Sequence, residues 1–141
     1  MGAADLGNEL GFTPREDGLE ILLARSQLVV DSAAAKISPP IDGVHFDYRD
    51  EDRLRSEALL ARSLGFGGKL CIHPAQVAVV NEVFTPTEAE TEWARRVVEA
   101  FEAAAREGRG AVGLDGSMID LPVVDRARRI LSESERRSDE R

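Results

Sequence analysis

Few residues in this sequence are of types that do chemistry: two histidines, one cysteine, and aspartates at segment boundaries. Asp5 follows small residues in Gly2-Ala3-Ala4-Asp5-Leu6. Small residues let a backbone approach a ligand closely. An acid at the C-terminal end of a strand can hold a hard cation such as Mg2+ through oxygen. The same aspartate could instead cap a short helix running to Leu10. His73, before Pro74, ends an apolar run, where it could polarise a carbonyl or serve as acid or base. The competing reading is a hydrogen-bonded histidine that orients its loop. His45 falls inside a short apolar segment and reads as structural. Asp42 and Asp50 flank that segment, Asp50 as a helix cap, while Asp47 sits just past its end, facing either a pocket or solvent. Asp115-Gly116 is a turn signature, and Asp120 reads as an N-cap.

Several chemistries are excluded. Two histidines with no CxxC or HExxH spacing give no zinc site. Gly65-Phe66-Gly67-Gly68 leads into a strand rather than opening a helix, the wrong context for cradling phosphate. Cys71 lies in Leu70-Cys71-Ile72 and reads as buried and inert, since a reactive thiol needs an electropositive, partly exposed setting.

The elements that position these residues are clearly punctuated. Thr13-Pro14-Arg15-Glu16 predicts a helix start with cap, proline and capping-box glutamate. Leu19, Leu22, Leu23, Val30 and Ala33 follow at helical spacing until Pro39-Pro40. Residues 41–46 predict a strand, with Asp50 opening a second helix that Gly65 closes. Residues 69–72 predict a second strand, apolar on both faces as buried parallel strands are. Pro74 opens a further helix. Thr85-Pro86-Thr87-Glu88 repeats the earlier signature before the longest helix, which Gly108-Arg109-Gly110 breaks. Asp120 and Pro122 start a last helix through Leu131. Strands alternating with helices imply an α/β chain with a parallel sheet. Two strands make no viable sheet, so a third is expected to end near Asp5.

The 141 residues suffice for one domain and one core. They are too few for a complete eight-stranded barrel of about 250 residues. Net charge is -8, which gives no electrostatic reason to seek nucleic acid or an anionic membrane. One cysteine allows no internal disulfide, so a reducing, cytoplasmic location is expected. No apolar stretch approaches a membrane span and the first residues carry no signal-peptide pattern.

An ordered set of segments resembles the citrate lyase beta subunit-like group of the HpcH/HpaI aldolase and citrate lyase superfamily. These are Pro40-Ile41-Asp42-Gly43-Val44, Leu64-Gly65-Phe66-Gly67-Gly68-Lys69, Ile72-His73-Pro74-Ala75-Gln76, Phe84-Thr85-Pro86, Trp93-Ala94 and Gly116-Ser117-Met118-Ile119-Asp120. The resemblance implies the C-terminal part of a (β/α)8 TIM barrel plus a C-terminal helical extension. Residues 1–84 would be the last barrel units, 85–131 the extension or lid, and 132–141 a disordered tail. It implies a Mg2+-dependent carbon–carbon lyase that cleaves or forms 3-hydroxyacyl-CoA esters such as malyl-CoA, citramalyl-CoA or a citryl thioester. Asp5 would be a metal ligand, with the Ala4 and Asp5 amides holding a substrate carboxylate. Asp120 would move a proton at the enolate carbon, acting in a neighbouring subunit, with Asp115 a weaker candidate. His73 and Asp47 would contact substrate. The partners implied are an acyl-CoA thioester or keto acid and further copies of the chain, as in the family's trimers.

The pattern is matched only in its second half. The glutamate metal ligand, the substrate-binding arginine and the earlier strands have no counterpart here and are expected upstream of Met1. The alternative is therefore a non-catalytic oligomerisation fragment, or one half of a split barrel.

Overall fold

Signals at helix ends set where most segments begin and stop. In this computed structural model, which describes residues 2–139, Asp50 accepts a hydrogen bond from Arg53 N at 3.0 Å and α3 (Glu51–Leu64) starts behind it. Gly65 ends α3 with φ at 101°. The Gly65 and Phe66 amides return to the carbonyls of Arg62 and Ala61, each at 3.1 Å, a Schellman closure. Position 65 needs glycine twice over: its φ is left-handed, and a Cβ there would lie 2.9 Å from Val29 Cγ1.

Two units form, Met1–Phe84 and Thr85–Arg141. The first runs α1 (Ala3–Leu10), a 3-10 turn (Leu19–Ile21), α2 (Leu22–Ala34), β1 (Ile41–Asp42), α3, β2 (Gly68–Lys69) and α4 (Ala75–Phe84). Its core packs Leu54, Ala58 and Ala61 of α3 and Phe66 against Val79, Val80, Val83 and Phe84 of α4, with Leu28 and Val29 of α2 alongside. Each large apolar side chain so buried contributes about 1.5–3 kcal/mol.

β1 and β2 pair in parallel, Ile41 opposite Gly68 and Asp42 opposite Lys69. A buried carboxylate thus faces a buried ammonium across the ladder. Lys69 Nζ lies 3.1 Å from Asp42 Oδ2 and 3.2 Å from Glu57 Oε2, and Arg25 Nη2 reaches Asp42 Oδ2 at 3.0 Å. Arg25, Asp42 and Lys69 are all less than a tenth exposed. Such charges are tolerated in the interior only when paired and hydrogen-bonded.

The second unit pairs α5 (Glu88–Arg106) with α6 (Leu121–Asp139) and carries the hairpin β3 (Val112–Leu114) and β4 (Ser117–Ile119). Thr87 Oγ1 accepts from Glu90 N at 3.1 Å, while Glu90 Oε2 accepts from Thr87 N at 2.8 Å, a complete capping box. Asp115 and Gly116 both have positive φ, 49° and 80°, the requirement of a tight two-residue hairpin turn. Ala94, Val97, Ile119, Val124 and Ala127 form this unit's core.

Three expectations are corrected. Thr13 starts no helix. Arg15 grips Asp17 instead, Asp17 Oδ1 accepts Leu19 N at 3.2 Å, and helical structure begins only at Leu19, after Gly18 with φ at 63°. Gly2-Ala3-Ala4-Asp5 ends no strand; residues 3–5 form the first turn of α1. Between α5 and α6, where the sequence predicted only the Asp115-Gly116 turn and no strand, β3 and β4 form the hairpin. The segment 132–139 continues α6, and residues 140–141 of the expected tail lie outside the described residues. It contains no glycine or proline to stop the helix, and Arg136 Nε donates to Ser132 O at 3.3 Å.

Replacing Asp42 by Ala leaves two buried cations facing each other without their shared carboxylate. The expected loss is about 3–5 kcal/mol, read from urea unfolding; a loss below about 1 kcal/mol would mean that the pairing adds nothing to folding. Thr87→Ala removes one cap and is expected to cost about 1 kcal/mol, visible as reduced thermal stability of the α5 amides in hydrogen exchange.

Candidate active site at the strand ends

Residues beyond the C-terminal ends of parallel strands are where βα architectures place ligands. Both post-strand loops are fixed here by one side chain. Gln76, 1% exposed, donates from Nε2 to His45 O at 2.9 Å. Its Oε1 accepts Ile72 N at 2.8 Å and His73 N at 3.3 Å. One buried amide therefore holds the loop after β1 to the loop after β2. Sequence reasoning gave Gln76 no role; its place in Ile72-His73-Pro74-Ala75-Gln76, an amide inside an otherwise apolar helix face, was the available signal.

A cavity of about 330 Å3 opens beside β1. Its wall includes Ala4, Arg25, Asp42, His45, Asp47 and Lys69, with Phe12, Ile21 and Phe46 supplying apolar surface. His45 is buried, its Nδ1 3.1 Å from Glu57 Oε1. Arg53 Nε also reaches Glu57 Oε1, at 3.3 Å. Arg25, Glu57 and Lys69 were not singled out from sequence. Charged residues inside apolar strands were the signal for Asp42 and Lys69, because a strand buried on both faces cannot hide a lone charge. At the rim, Arg15 donates to Asp17 at 2.9 and 2.7 Å and holds that carboxyl down at about 2.

The structure brings Ala4 and Asp47 to this cavity. Asp47 Oδ1 also accepts Arg49 N at 3.0 Å. Asp5 is exposed in the first turn of α1 and lies in a separate depression with Glu9 and Asp31. His73 stands outside the cavity wall, stacked on Tyr48 with ring centroids 4.4 Å apart, and its Nδ1 accepts Ala75 N at 3.1 Å. Asp120 belongs to the second unit, exposed before α6, with Oδ1 3.4 Å from Val123 N. Burial pushes the Cys71 thiol up, which suits a packing role.

For a magnesium ion the donor set is incomplete. Asp5 is a carboxylate of the right hardness, but among the described residues no three His, Cys, Asp or Glu groups gather as ligands. Among the same residues no helix is long and apolar enough to cross a membrane.

The family model described as HpcH/HpaI aldolase/citrate lyase matches residues 1–74. A citrate lyase subunit beta-like protein of Deinococcus radiodurans is 42% identical over 132 residues, covering 94% of this chain and 46% of that protein. The mitochondrial citramalyl-CoA lyase of Rattus norvegicus is 40% identical over 132 residues, covering 94% of this chain and 39% of that protein. The crystal structure of CitE from Mycobacterium tuberculosis, in complex with magnesium, acetoacetate and coenzyme A, matches with a TM-score of 0.78 at 35% identity. That match covers 95% of this chain and 50% of the other. The chain thus spans half or less of the length of these relatives, with a citrate lyase-like α/β fold across nearly all of its own. On the family match and on this identity, the chain belongs to the HpcH/HpaI aldolase/citrate lyase family.

Proposed function

We propose that the protein of which these 141 residues are a part is a magnesium-dependent carbon–carbon lyase acting on 3-hydroxyacyl-CoA esters, of the malyl-, citramalyl- or citryl-thioester class. One observation carries this reading: nearly the whole chain is similar, in sequence and in fold, to a protein seen with magnesium, acetoacetate and coenzyme A. In this reading the first unit is the end of a TIM barrel and the second a helical extension that packs against further copies of the chain.

Each residue then has a task suited to its place. The first amides of α1, Ala4 and Asp5 among them, lack intrahelical partners and suit a substrate carboxylate. Asp5 supplies one carboxylate to the cation, with a second from outside these residues. A bound magnesium ion would supply Lewis-acid stabilisation of negative charge on oxygen. Asp47, already in the cavity wall, contacts substrate, and His73 supports the loop beside it. Asp120, from the extension of a neighbouring copy, moves a proton at the carbon that becomes enolic.

A second reading is favoured by the apolar residues flanking the two strands. Ile41, Leu70 and Ile72 are 44, 51 and 50% exposed, which suits one half of a split barrel or a non-catalytic association fragment. Binding separates the two. Under the lyase reading, calorimetry of the protein that includes the second carboxylate detects Mg2+, and Asp5→Asn weakens it at least tenfold, about what lesser outer-shell changes cost. Unchanged Mg2+ affinity in Asp5→Asn rejects the metal assignment. An oligomer that binds neither Mg2+ nor a CoA thioester supports the association reading.

A further inference from the structure

Among the described residues, three buried side-chain polar atoms lack a hydrogen-bond partner: Glu20 Oε2, Arg25 Nε and His45 Nε2. All three belong to side chains in the wall of the same cavity. Buried polar atoms are rarely left unsatisfied. Three in one wall point to an occupant that makes those bonds.

The chemistry of the three atoms describes the occupant. Arg25 Nε can only donate. Glu57 receives Arg53 and Lys69 as well as His45, and with that carboxylate as acceptor the neutral tautomer of His45 that fits carries its proton on Nδ1. That leaves His45 Nε2 as an acceptor in the neutral ring. Glu20 Oε2, a carboxylate oxygen, can only accept, so the occupant and any water it brings must present an oxygen toward Arg25 and donors, such as a hydroxyl, toward His45 and Glu20. A hydroxy acid carries both on adjacent carbons. A buried imidazole whose Nδ1 is oriented by a carboxylate, with a free Nε2, is also the arrangement that serves as a general base.

We propose that His45 is a catalytic base: its Nε2 takes the hydroxyl proton of a 3-hydroxyacyl thioester, Arg25 Nε holds an oxygen of the same group, and Glu57 positions the ring. This rests on the lyase reading. The O–H bond breaks and its proton goes to Nε2. The oxygen's electron pair forms the carbonyl. The carbon–carbon bond to the α-carbon breaks, and its pair becomes the thioester enolate. Asp120 of a neighbouring copy, in the role proposed above, returns a proton to that carbon and completes the acyl thioester, while the imidazolium gives the hydroxyl proton to solvent, from which the aspartate is reprotonated. No oxidant or further reactant is needed.

Two measurements test this, the first on the 141-residue chain and the second on the protein that includes the residues supplying the second metal carboxylate. The first uses malate as the probe and 15N-histidine spectra, in which His45 and His73 are the only histidines. Malate is expected to move the His45 Nε2 signal and to leave His73 nearly unchanged; an unmoved His45 signal at saturating malate overturns the proposal. The second is malyl-CoA cleavage. His45→Gln is expected to lower kcat at least about 100-fold with KM little changed and the unfolding midpoint preserved. Glu57→Gln, as a positioning change, lowers kcat by less. Undiminished kcat in His45→Gln rejects the base and leaves the lyase reading standing. A wild-type protein that contains the second metal carboxylate and still shows no turnover counts against that reading instead, and the malate spectra alone then decide whether His45 meets the hydroxy acid.

Discussion

Two charges of opposite sign, set in register on neighbouring parallel strands, constrain everything around them. Asp42 and Lys69 face each other across the β1–β2 ladder with almost no solvent contact. Neither could sit there alone, because desolvating an unpaired ion costs far more than one strand pair returns. Asp42 therefore draws Arg25 from α2, and Lys69 draws Glu57 from α3. A slip of one residue would turn both charges to the other face and leave each without its partner. Buried ion pairs are weak as net stabilisers, and registry is their best-attested use. Here that use is concrete, since two strands of two residues each have little other means of fixing their alignment.

The cavity inherits its geometry from that alignment. Once β1 and β2 are in register, the loops that follow them leave at the same level. Gln76 can then bond His45 O on one loop and Ile72 N on the other with a single amide. His45 is held from two sides, its carbonyl by Gln76 and its ring by Glu57. Glu57 in turn is shared with Lys69 and Arg53. The network that sets the strand register thus also sets the orientation of the imidazole at the cavity, so stability and chemistry depend on the same few charges.

What was legible in the sequence was local. Asp50 and Gly65 act within a few residues of themselves, and their capping roles are visible in the order of residue types, whereas the cap of α5 was expected at Thr85 with Glu88 and lies two residues on, at Thr87 with Glu90. The α/β alternation follows from the same punctuation. Thr13 misled because Asp17 competes for the same turn. A bidentate grip by Arg15 and a left-handed Gly18 outweigh a cap, and nothing in the local pattern ranks the two. The site was less legible because its bonds join residues far apart in the chain, Arg25 to Asp42 across 17 positions and Lys69 to Asp42 across 27. His45 read as structural because its partner Glu57 lies on the next helix. The ordered family motifs supplied the family, which spacing alone did not.

The two units meet the problem of strand edges differently. In the second, β3 and β4 are antiparallel and joined by their own two-residue turn, and Ile119 packs into the core formed by α5 and α6. Such a hairpin is complete on its own helices. Parallel strands have no equivalent, because each must be reached by a crossover and both faces need cover. β1 and β2 have one crossover, α3, and leave Ile41, Leu70, Ile72 and Phe46 substantially exposed beside them. Charges that demand burial and apolar side chains that lack it sit within a few residues of one another in the same strands. That combination is what a sheet of two parallel strands produces when its residues are suited to a larger one, and under the barrel reading further strands would cover those side chains and close the wall where Arg25 and His45 keep unspent hydrogen bonds.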